Sequence, residues 1–590
     1  MNIVFCVMFL LAVIGYMLSY TAYVKKDLSF FPLLFIAVSS IVTFFFGLAG
    51  LLKAGPYVVV ISGLLLLGWS LYKKVSLRAL VHPACLFMLV GVIWAFVITR
   101  GVGLSQLDDF NHWYKICKIM HAEGAFPTTP DIDFPTYTPG TALWIYQITR
   151  CTGFSVANCF FAQSVLNLAG CCCLISAIRS EDKWGVRITR YVIACVASVF
   201  LCSLDMSTYN LLVDCSLGLV ALYVAVYLLR YSFSFDYYVL VPVLVYLRLI
   251  KMSGILFCVF LLGFYLLGKK RLVPSSIGRS TLWVCLSTVA VPFAMGWIYK
   301  FRMSFYYSDI GGSNQAFSLQ RFTSIGADKS PELIRSTAAK VWIEAFSFVN
   351  GYPQILAVWV FFLILFVFVF AEDKKKECFS KYILGYLFGF YIVYTAFMTF
   401  TYIFSMDSAE ATYLASYFRY MGTPVVVITG IAIYIFLDKF VTSKVLWSAA
   451  FTCVMLAINI WSTGIGYIFG ISHYVPMEDY TDSAWKAISS YVPESFTYSP
   501  GNYVVIWNNA TYDADGAYAF KYGSLSSVYL RCVDAKFYSY AQVASGSEAV
   551  MDDISSADYI VVVGEADESI SVLSSYTSSG EIVSGINPAG

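Results

Sequence analysis

The chain has 590 residues, of which 59% are hydrophobic and only 13% are charged. Soluble proteins average roughly 25% charged residues and keep a charged exterior, so this composition, with a mean hydropathy of +0.73, excludes an ordinary water-soluble protein. The net charge of +2 comes without a basic block, which argues against nucleic acid as a partner. The sequence therefore predicts a polytopic membrane protein.

The first apolar stretch runs from Ile3 to about Val24 and then meets Lys25-Lys26. A secretory signal carries its positive charge first and has an apolar core of roughly 7–15 residues. The reverse order and the greater length predict a first membrane span here, not a cleaved signal.

Further apolar stretches follow along most of the chain. A helix needs about 20 apolar residues to cross a bilayer. By that measure the predicted spans lie near residues 3–24, 28–52, 56–72, 80–99, 156–178, 188–204, 211–229, 236–249, 253–268, 281–299, 354–370, 382–402, 423–437 and 445–470. The pair 236–249 and 253–268 is the weakest of these predictions, because both stretches are short and they meet at Arg248, Lys251 and Gly254.

Lysine and arginine set the orientation of the predicted spans, because they concentrate in cytoplasmic loops. The basic clusters lie at Lys25-Lys26, Lys73 to Arg78, Arg179 to Arg190, Lys269 to Arg271 and Lys374 to Lys376. With the spans above, all of them fall on one side, which places both termini outside the cytoplasm. The larger polar segments then lie outside as well, at 100–155, 300–353, 403–420 and from 471 onward.

The tail differs in character from the rest of the chain. Tyr503–Trp507 and Tyr559–Val563 are typical of buried strands, and Asp482–Tyr491 is typical of a helix with Asp482 as its N-cap. We therefore predict an all-α transmembrane domain over 1–470, with roughly 12–14 helices, and a small extracytoplasmic α/β domain over 471–590.

An acidic pair, Asp108-Asp109, opens the first large outer loop. It precedes an amphipathic stretch whose apolar residues recur at helical spacing, namely Trp113, Ile116, Cys117 and Met120. Such a helix can lie in the membrane interface, where a carboxylate can serve as a general base. The alternative is that the pair only caps the helix, since aspartate satisfies free amides at a helix start.

Charged residues also occur inside or at the ends of apolar runs. Asp214 lies within the span that follows Tyr209, and Lys251 lies at the bend between two short spans. Charges in such positions are expensive and are usually functional, although an ion pair that stabilises the bundle is the alternative. Arg419 stands where a late span begins, so it could bind phosphate in bidentate fashion or extend to the interface.

These features occur in a recognisable order. The acidic pair with its aromatic helix comes first, then the turn Tyr137-Thr138-Pro139-Gly140, then Asp214, then the Lys-x-x-Gly bend at Lys251. This order resembles the polyprenyl-phosphate-sugar-dependent glycosyltransferases of the GT-C fold, which are related to protein mannosyltransferases and lipid A aminoarabinose transferases. The resemblance is clearest over about 100–260, and the segment from Glu410 to Tyr420 resembles bacterial members.

The resemblance implies a GT-C-like bundle and an enzyme that moves one sugar from a polyprenyl-phosphate carrier to an acceptor, usually with inversion. Asp108 or Asp109 would act on the acceptor hydroxyl, and Lys251 and Arg419 would hold the donor phosphate. Further substrate-binding residues would be His112, Trp113, Tyr137, Tyr209, Asp214, Glu410 and Tyr420. The acceptor, whether glycan, lipid or protein, stays open.

The sequence specifies no cofactor and no structural metal site. Its 16 cysteines and four histidines show no zinc-like spacing. The adjacent pair Asp108-Asp109 departs from a spaced Asp-x-Asp, which leaves dependence on a divalent metal open.

Other functions share the same bundle. A lipid-linked sugar transporter or flippase would also carry intramembrane charges, although such proteins often show repeated halves, and none is detectable here. An O-antigen-type ligase or polymerase would use a lipid-diphosphate donor. A non-catalytic envelope assembly protein would use its C-terminal domain to bind a partner.

Overall fold

A computed structural model describes residues 3–100, 102, 108–127, 136–204, 209–272, 279–306, 329–348, 355–356, 374–441, 502–507, 534–539, 543, 546–557, 559–563 and 581–584. The chain divides into two compact units. The first consists of Met1–Arg100 and Phe134–Tyr474, and the second of Gly101–Asp133 and Val475–Gly590.

Helices dominate the described residues. In chain order the α-helices are α1 (Ile3–Ser19), α2 (Phe31–Leu48), α3 (Ala54–Tyr72), α4 (Pro83–Ile98), α5 (Tyr114–Glu123), α6 (Gly140–Thr152), α7 (Val156–Cys171), α8 (Trp184–Ser203), α9 (Asp214–Arg230), α10 (Tyr237–Ile250), α11 (Gly254–Leu272), α12 (Arg279–Cys285), α13 (Val291–Met303), α14 (Pro331–Phe346), α15 (Lys374–Phe404), α16 (Ser408–Tyr413), α17 (Tyr417–Ile435) and α18 (Glu548–Ser556). Short 3-10 or π turns extend several of them, including Tyr20–Val24 after α1 and Cys172–Ala177 after α7.

The first unit is a multi-pass membrane bundle. By length and composition, eight helical segments of the described chain can cross a membrane: Ile3–Val24, Leu28–Leu48, Ala54–Tyr72, Val156–Ala177, Trp184–Cys202, Thr281–Met303, Tyr382–Phe404 and Tyr417–Lys439. Pro83–Ile98 and Tyr237–Ile250 are shorter apolar helices. This confirms the all-α polytopic architecture predicted from composition and hydropathy.

Most of the predicted spans coincide with a described helix. The two weak spans are separate helices, α10 and α11, which are interrupted at Lys251–Ser253 as the sequence pattern predicted. The predicted spans 354–370 and 445–470 lie outside the described residues, apart from 355–356. The predicted outer loops are not featureless, because they contain the buried helix α6 and the helix α14.

Small residues let the first helices pack closely. A side chain at Gly15 of α1 would collide with the backbone of α3 at Gly63. A side chain at Gly63 would in turn meet Ala12 of α1. Close backbone approach of this kind is how helices associate in lipid, where hydrophobic burial gives little advantage.

The predicted basic cluster at Arg179 to Arg190 is a structural network. Arg190 is buried, and its guanidinium bonds to the Asp182 carboxylate at 2.7 Å and to the Ala177 carbonyl at 2.5 Å. Arg179 pairs with Asp438, beyond the end of α17, at 2.6 Å. These bonds tie the start of α8 to the chain that follows α17.

The second unit contains a parallel sheet. Its strands are β1 (Asn502–Trp507), β2 (Asp534–Ser539), β3 (Tyr559–Val563) and β4 (Glu581–Ser584), in the order β2-β1-β3-β4. Strands β1 and β3 match the predicted strands to within a residue. The predicted helix Asp482–Tyr491 lies outside the described residues, and the boundary at 471 and the extracytoplasmic location stay predictions.

Helix α18 covers one face of this sheet. Val504 of β1 and Ile560 of β3 form a buried cluster with Val550 and Ile554 of the helix and with Val543. Parallel strands joined through a helix that covers the sheet are the usual arrangement for strands this apolar, because both faces of such a sheet must be buried.

Candidate functional site

Asp214 opens helix α9 in the interior of the bundle. Its carboxylate is buried, and it occupies the first turn of the helix, where the helix dipole favours negative charge. The preceding turn is fixed by Gln163 of α7, whose amide donates to the carbonyls of Asn210 at 3.3 Å and Leu212 at 2.7 Å. The position of Asp214 is therefore determined by neighbouring helices.

Lys251 occupies the break between α10 and α11. Its backbone is extended, and Gly254 restarts the helix three residues later. A side chain at Gly254 would collide with the carbonyl oxygen of Leu247, so only glycine permits this tight return. The bend places the lysine at the C-terminal end of α10, where a cation is favoured by the helix dipole.

Arg419 and Tyr420 begin helix α17. Asp214 accepts from the Lys251 ammonium at 2.6 Å through Oδ1, and its Oδ2 lies 3.4 Å from Nε of Arg419. Both cations also face the Tyr420 ring, with Lys251 Nζ 4.8 Å and Arg419 Cζ 5.0 Å from its centroid. One buried carboxylate, two cations and one aromatic ring thus meet from α9, from α17 and from the break between α10 and α11.

This cluster brings together four of the residues singled out in the sequence: Asp214, Lys251, Arg419 and Tyr420. The ion pair proposed as the alternative explanation for Lys251 is present. Arg419 faces a buried carboxylate and is mostly buried itself, with a side chain that is 18% exposed. Cation–π contacts with tyrosine add to the electrostatic stabilisation of both basic groups.

A buried lysine holds the end of α15, the helix that precedes the segment of Arg419. Lys329 donates from its ammonium to three carbonyls at the end of α15, those of Tyr402 (2.8 Å), Ile403 (2.7 Å) and Met406 (2.6 Å). These contacts satisfy carbonyls left unpaired where a helix ends.

The backbone just before α17 is strained, and hydrogen bonds from neighbouring helices stabilise it. Leu414 and Ser416 both have positive φ values, at 52° and 58°, which non-glycine residues rarely adopt. Tyr402 donates to the carbonyl of Ala415 at 2.6 Å and Tyr417 to that of Val341 at 2.8 Å. The approach of Arg419 to Asp214 therefore depends on the surrounding helices.

The proline-glycine turn docks beside the same site. Thr138 donates to the carbonyl of Arg248 at 3.2 Å. A side chain at Gly140 would meet the backbone at Leu249 and Ile250, so the glycine allows the turn to lie directly against the end of α10. Two motifs far apart in sequence thus meet next to Lys251.

The acidic pair lies in the second unit, on a π-helical turn, Asp109–Trp113, that leads into α5. Asp108 precedes this turn, and its side chain makes no capping hydrogen bond to it. Asp109 and His112 are buried, and burial together with the Asp109 charge raises the pKa of the Cys117 thiol. Single π turns are frequent at functional sites.

The other predicted substrate-binding residues are spread over both units. Trp113 stacks edge-on against His112, with ring centroids 4.5 Å apart. Tyr137 belongs to the docked turn, and Tyr209 is buried in the loop before α9. Glu410 lies in α16, whose N-cap is Asp407. Within the described residues, no group of three or more His, Cys, Asp or Glu side chains could hold a metal ion.

Sequence reasoning missed two positioning residues. Gln163 is a polar residue within an apolar span, and that contrast is the sequence signal that marks it. Lys329 had no signal, because an isolated lysine in a long loop is indistinguishable from a solvated one.

No family model matches the chain, and no curated protein matches it. Among solved structures, the crystal structure of ArnT from Cupriavidus metallidurans bound to undecaprenyl phosphate is similar, with a TM-score of 0.43, 13% sequence identity, and coverage of 85% of this chain and 89% of that chain.

Proposed function

We propose that the chain is a membrane glycosyltransferase that moves a sugar from a polyprenyl-phosphate carrier to a cell-envelope acceptor at the outer face of the membrane, with inversion. The observation that carries the proposal is the meeting of Lys251 and Arg419 at Asp214 within a membrane bundle. Ionisable groups in such bundles usually mark a substrate path, and two cations beside an apolar phase suit a lipid phosphate.

In the proposed reaction, the leaving group is the lipid phosphate. The acceptor oxygen forms a bond to the anomeric carbon while the bond from that carbon to the phosphate oxygen breaks, and the phosphate keeps the electron pair. Lys251 and Arg419 stabilise the charge that develops there, so no protein acid is needed. Such stabilisation works best when the charged groups are already in position, and Asp214 keeps both of them in place before the donor arrives.

The acceptor hydroxyl must lose a proton as it attacks. We assign that proton to Asp108 or Asp109, because a carboxylate can act as general base when it is positioned by a rigid turn. Asp109 is buried and begins the π turn Asp109–Trp113. Aromatic neighbours such as Trp113 suit a sugar acceptor, since rings stack on the apolar faces of sugars.

The test measures release of polyprenyl phosphate from a panel of polyprenyl-phosphate sugars, using the purified chain and an envelope extract as acceptor. Asp108→Asn or Asp109→Asn should lower turnover by roughly 10²–10⁴-fold, since asparagine keeps the shape but cannot accept the proton. Lys251→Met should raise KM for the donor. Arg419→Lys should also lose activity, because a point charge cannot reproduce the guanidinium fork.

The control for these variants is Lys300→Met, which removes an exposed lysine from α13. Transport of the intact donor across vesicles without release of polyprenyl phosphate would instead establish the transporter alternative. Near-normal turnover in both Asp108→Asn and Asp109→Asn would refute the assignment of the base. Mass spectrometry of envelope glycans from cells with and without the protein would identify the transferred sugar.

A further inference from the structure

Arg248 is a second basic residue near the α10 bend, and the proposed reaction does not use it. It occupies the last turn of α10 and is 6% exposed. In the described part of the chain, its guanidinium makes no hydrogen bond and no ion pair, and both Nε and Nη1 are buried without a partner. Thr138 bonds to its backbone carbonyl and leaves the side chain unsatisfied.

A slot between helices accommodates this guanidinium. A side chain added at Gly296 of α13 would collide with the guanidinium carbon and nitrogens of Arg248, so the glycine makes room for the charged group. Cys258 of α11 is its titratable neighbour, and that thiol is directed to the carbonyl of Leu244 at 3.8 Å. The slot is therefore formed by α10, α11 and α13.

Among the described residues, the carboxylates at the starts of α9 and α10 are engaged elsewhere. Asp214 faces Lys251 and Arg419, and Asp236 at the other end of α10 pairs with Lys26 at 2.8 Å. A guanidinium stays charged at any physiological pH, and burying it without an anion is costly. Since the side chain is buried, it cannot reach water by extending to the interface, as lipid-facing arginines do.

We infer that Arg248 binds the phosphate group of a lipid that enters the slot beside α13. Helix α10 is a short apolar helix, and Arg248 stands in its last turn, beside the polar break at Lys251–Ser253. Trp297, which follows Gly296 in α13, is 55% exposed, and Phe293, one turn before Trp297, is 56% exposed. The side of α13 that carries these two residues therefore faces the lipid phase. Guanidinium groups form strong, directional hydrogen bonds with phosphate.

Two lipids share this chemistry: a polyprenyl phosphate and an ordinary anionic phospholipid. The inference holds for either lipid and does not depend on sugar transfer. Native mass spectrometry of the full chain in detergent distinguishes them, with polyprenyl phosphate, phosphatidylglycerol and inorganic phosphate added separately. The unaltered chain should retain at least one of the two lipids, and competition between them shows which lipid the slot prefers.

Arg248→Met should weaken retention of that lipid by at least about tenfold, because the loss of hydrogen bonds to a charged partner is worth at least that ratio. Gly296→Ala is the second variant. This variant should fold, because the group that the added methyl meets is the flexible end of the Arg248 side chain. It should nevertheless displace the guanidinium and weaken retention of the same lipid. Gly385→Ala is the matched control, because a side chain there would meet nothing within 4 Å.

Equal lipid retention by the unaltered chain, Arg248→Met and Gly296→Ala would overturn the inference. So would Arg248-dependent binding of inorganic phosphate alone. Lipid-induced thermal stabilisation gives an independent readout, since a ligand stabilises only the state that binds it. The preferred lipid should raise the melting temperature of the unaltered chain and of Gly385→Ala, but not that of Arg248→Met.

Discussion

The geometry of the Asp214 cluster predicts that removing its carboxylate and removing one of its cations change the stability of the bundle by different amounts. Lys251→Met leaves the Asp214 carboxylate beside Arg419, so one cation still balances it. Asp214→Leu instead leaves Lys251 and Arg419 facing each other without the carboxylate between them. We therefore expect Asp214→Leu to destabilise the bundle more than Lys251→Met does.

The magnitudes follow from the observed contacts. Lys251→Met removes one hydrogen bond of 2.6 Å between charged groups, which is worth about 1.5–3 kcal/mol. Asp214→Leu breaks a largely buried pair and strands its partners, which costs about 3–5 kcal/mol. Combining Lys251→Met with Asp214→Leu should recover part of that loss, because only Arg419 is then left without the carboxylate.

The assay is unfolding of the purified variants in one detergent, followed by thermal scanning and by denaturant titration. A double-mutant cycle between Lys251 and Asp214 then gives their coupling energy, which should be clearly favourable. Lys300→Met measures the effect of removing an exposed lysine. The reasoning fails if Asp214→Leu is as stable as the unaltered chain, or if the double variant is no more stable than Asp214→Leu alone.

Two further predictions concern the bend and the tail. Gly254→Ala should cost about 1–3 kcal/mol in the same unfolding assay, because its methyl group would overlap the Leu247 carbonyl, whereas Gly385→Ala should be neutral or slightly stabilising. A cysteine that replaces Ala510 should react with a membrane-impermeant thiol reagent in intact cells, and one that replaces Lys375 should stay protected. The opposite labelling pattern would reverse the predicted orientation.

The helical architecture was predictable because lipid imposes a single strong requirement. A segment that crosses the membrane must be apolar and about 20 residues long, and its backbone must bond within itself. That requirement located α1, α2, α3 and α15 from hydropathy alone. The same requirement did not identify α6 as part of the bundle. This helix is only 13 residues long, which is too short for a span, although most of its residues are buried.

The site was predictable only as separate residues. Asp214 and Lys251 were identifiable because charge is rare within apolar sequence. Their contact with Arg419 and Tyr420 was not, because sequence spacing contains no information about which ends of distant helices meet. The supporting residues were harder still, since Lys329 acts through backbone carbonyls, and any loop lysine could do so.

Under the proposed function, the arrangement at Asp214 has to meet two opposing requirements of a phosphate site in a membrane. Without a bound anionic donor, the two cations repel each other, and burying them in a medium of low polarity costs free energy. A carboxylate between Lys251 and Arg419 removes that cost in the empty state, but it also competes with the phosphate for the same hydrogen bonds. A donor therefore need not displace Asp214. It needs only to share the two cations with it, which they can do because the Lys251 ammonium has three donors and the Arg419 guanidinium has five.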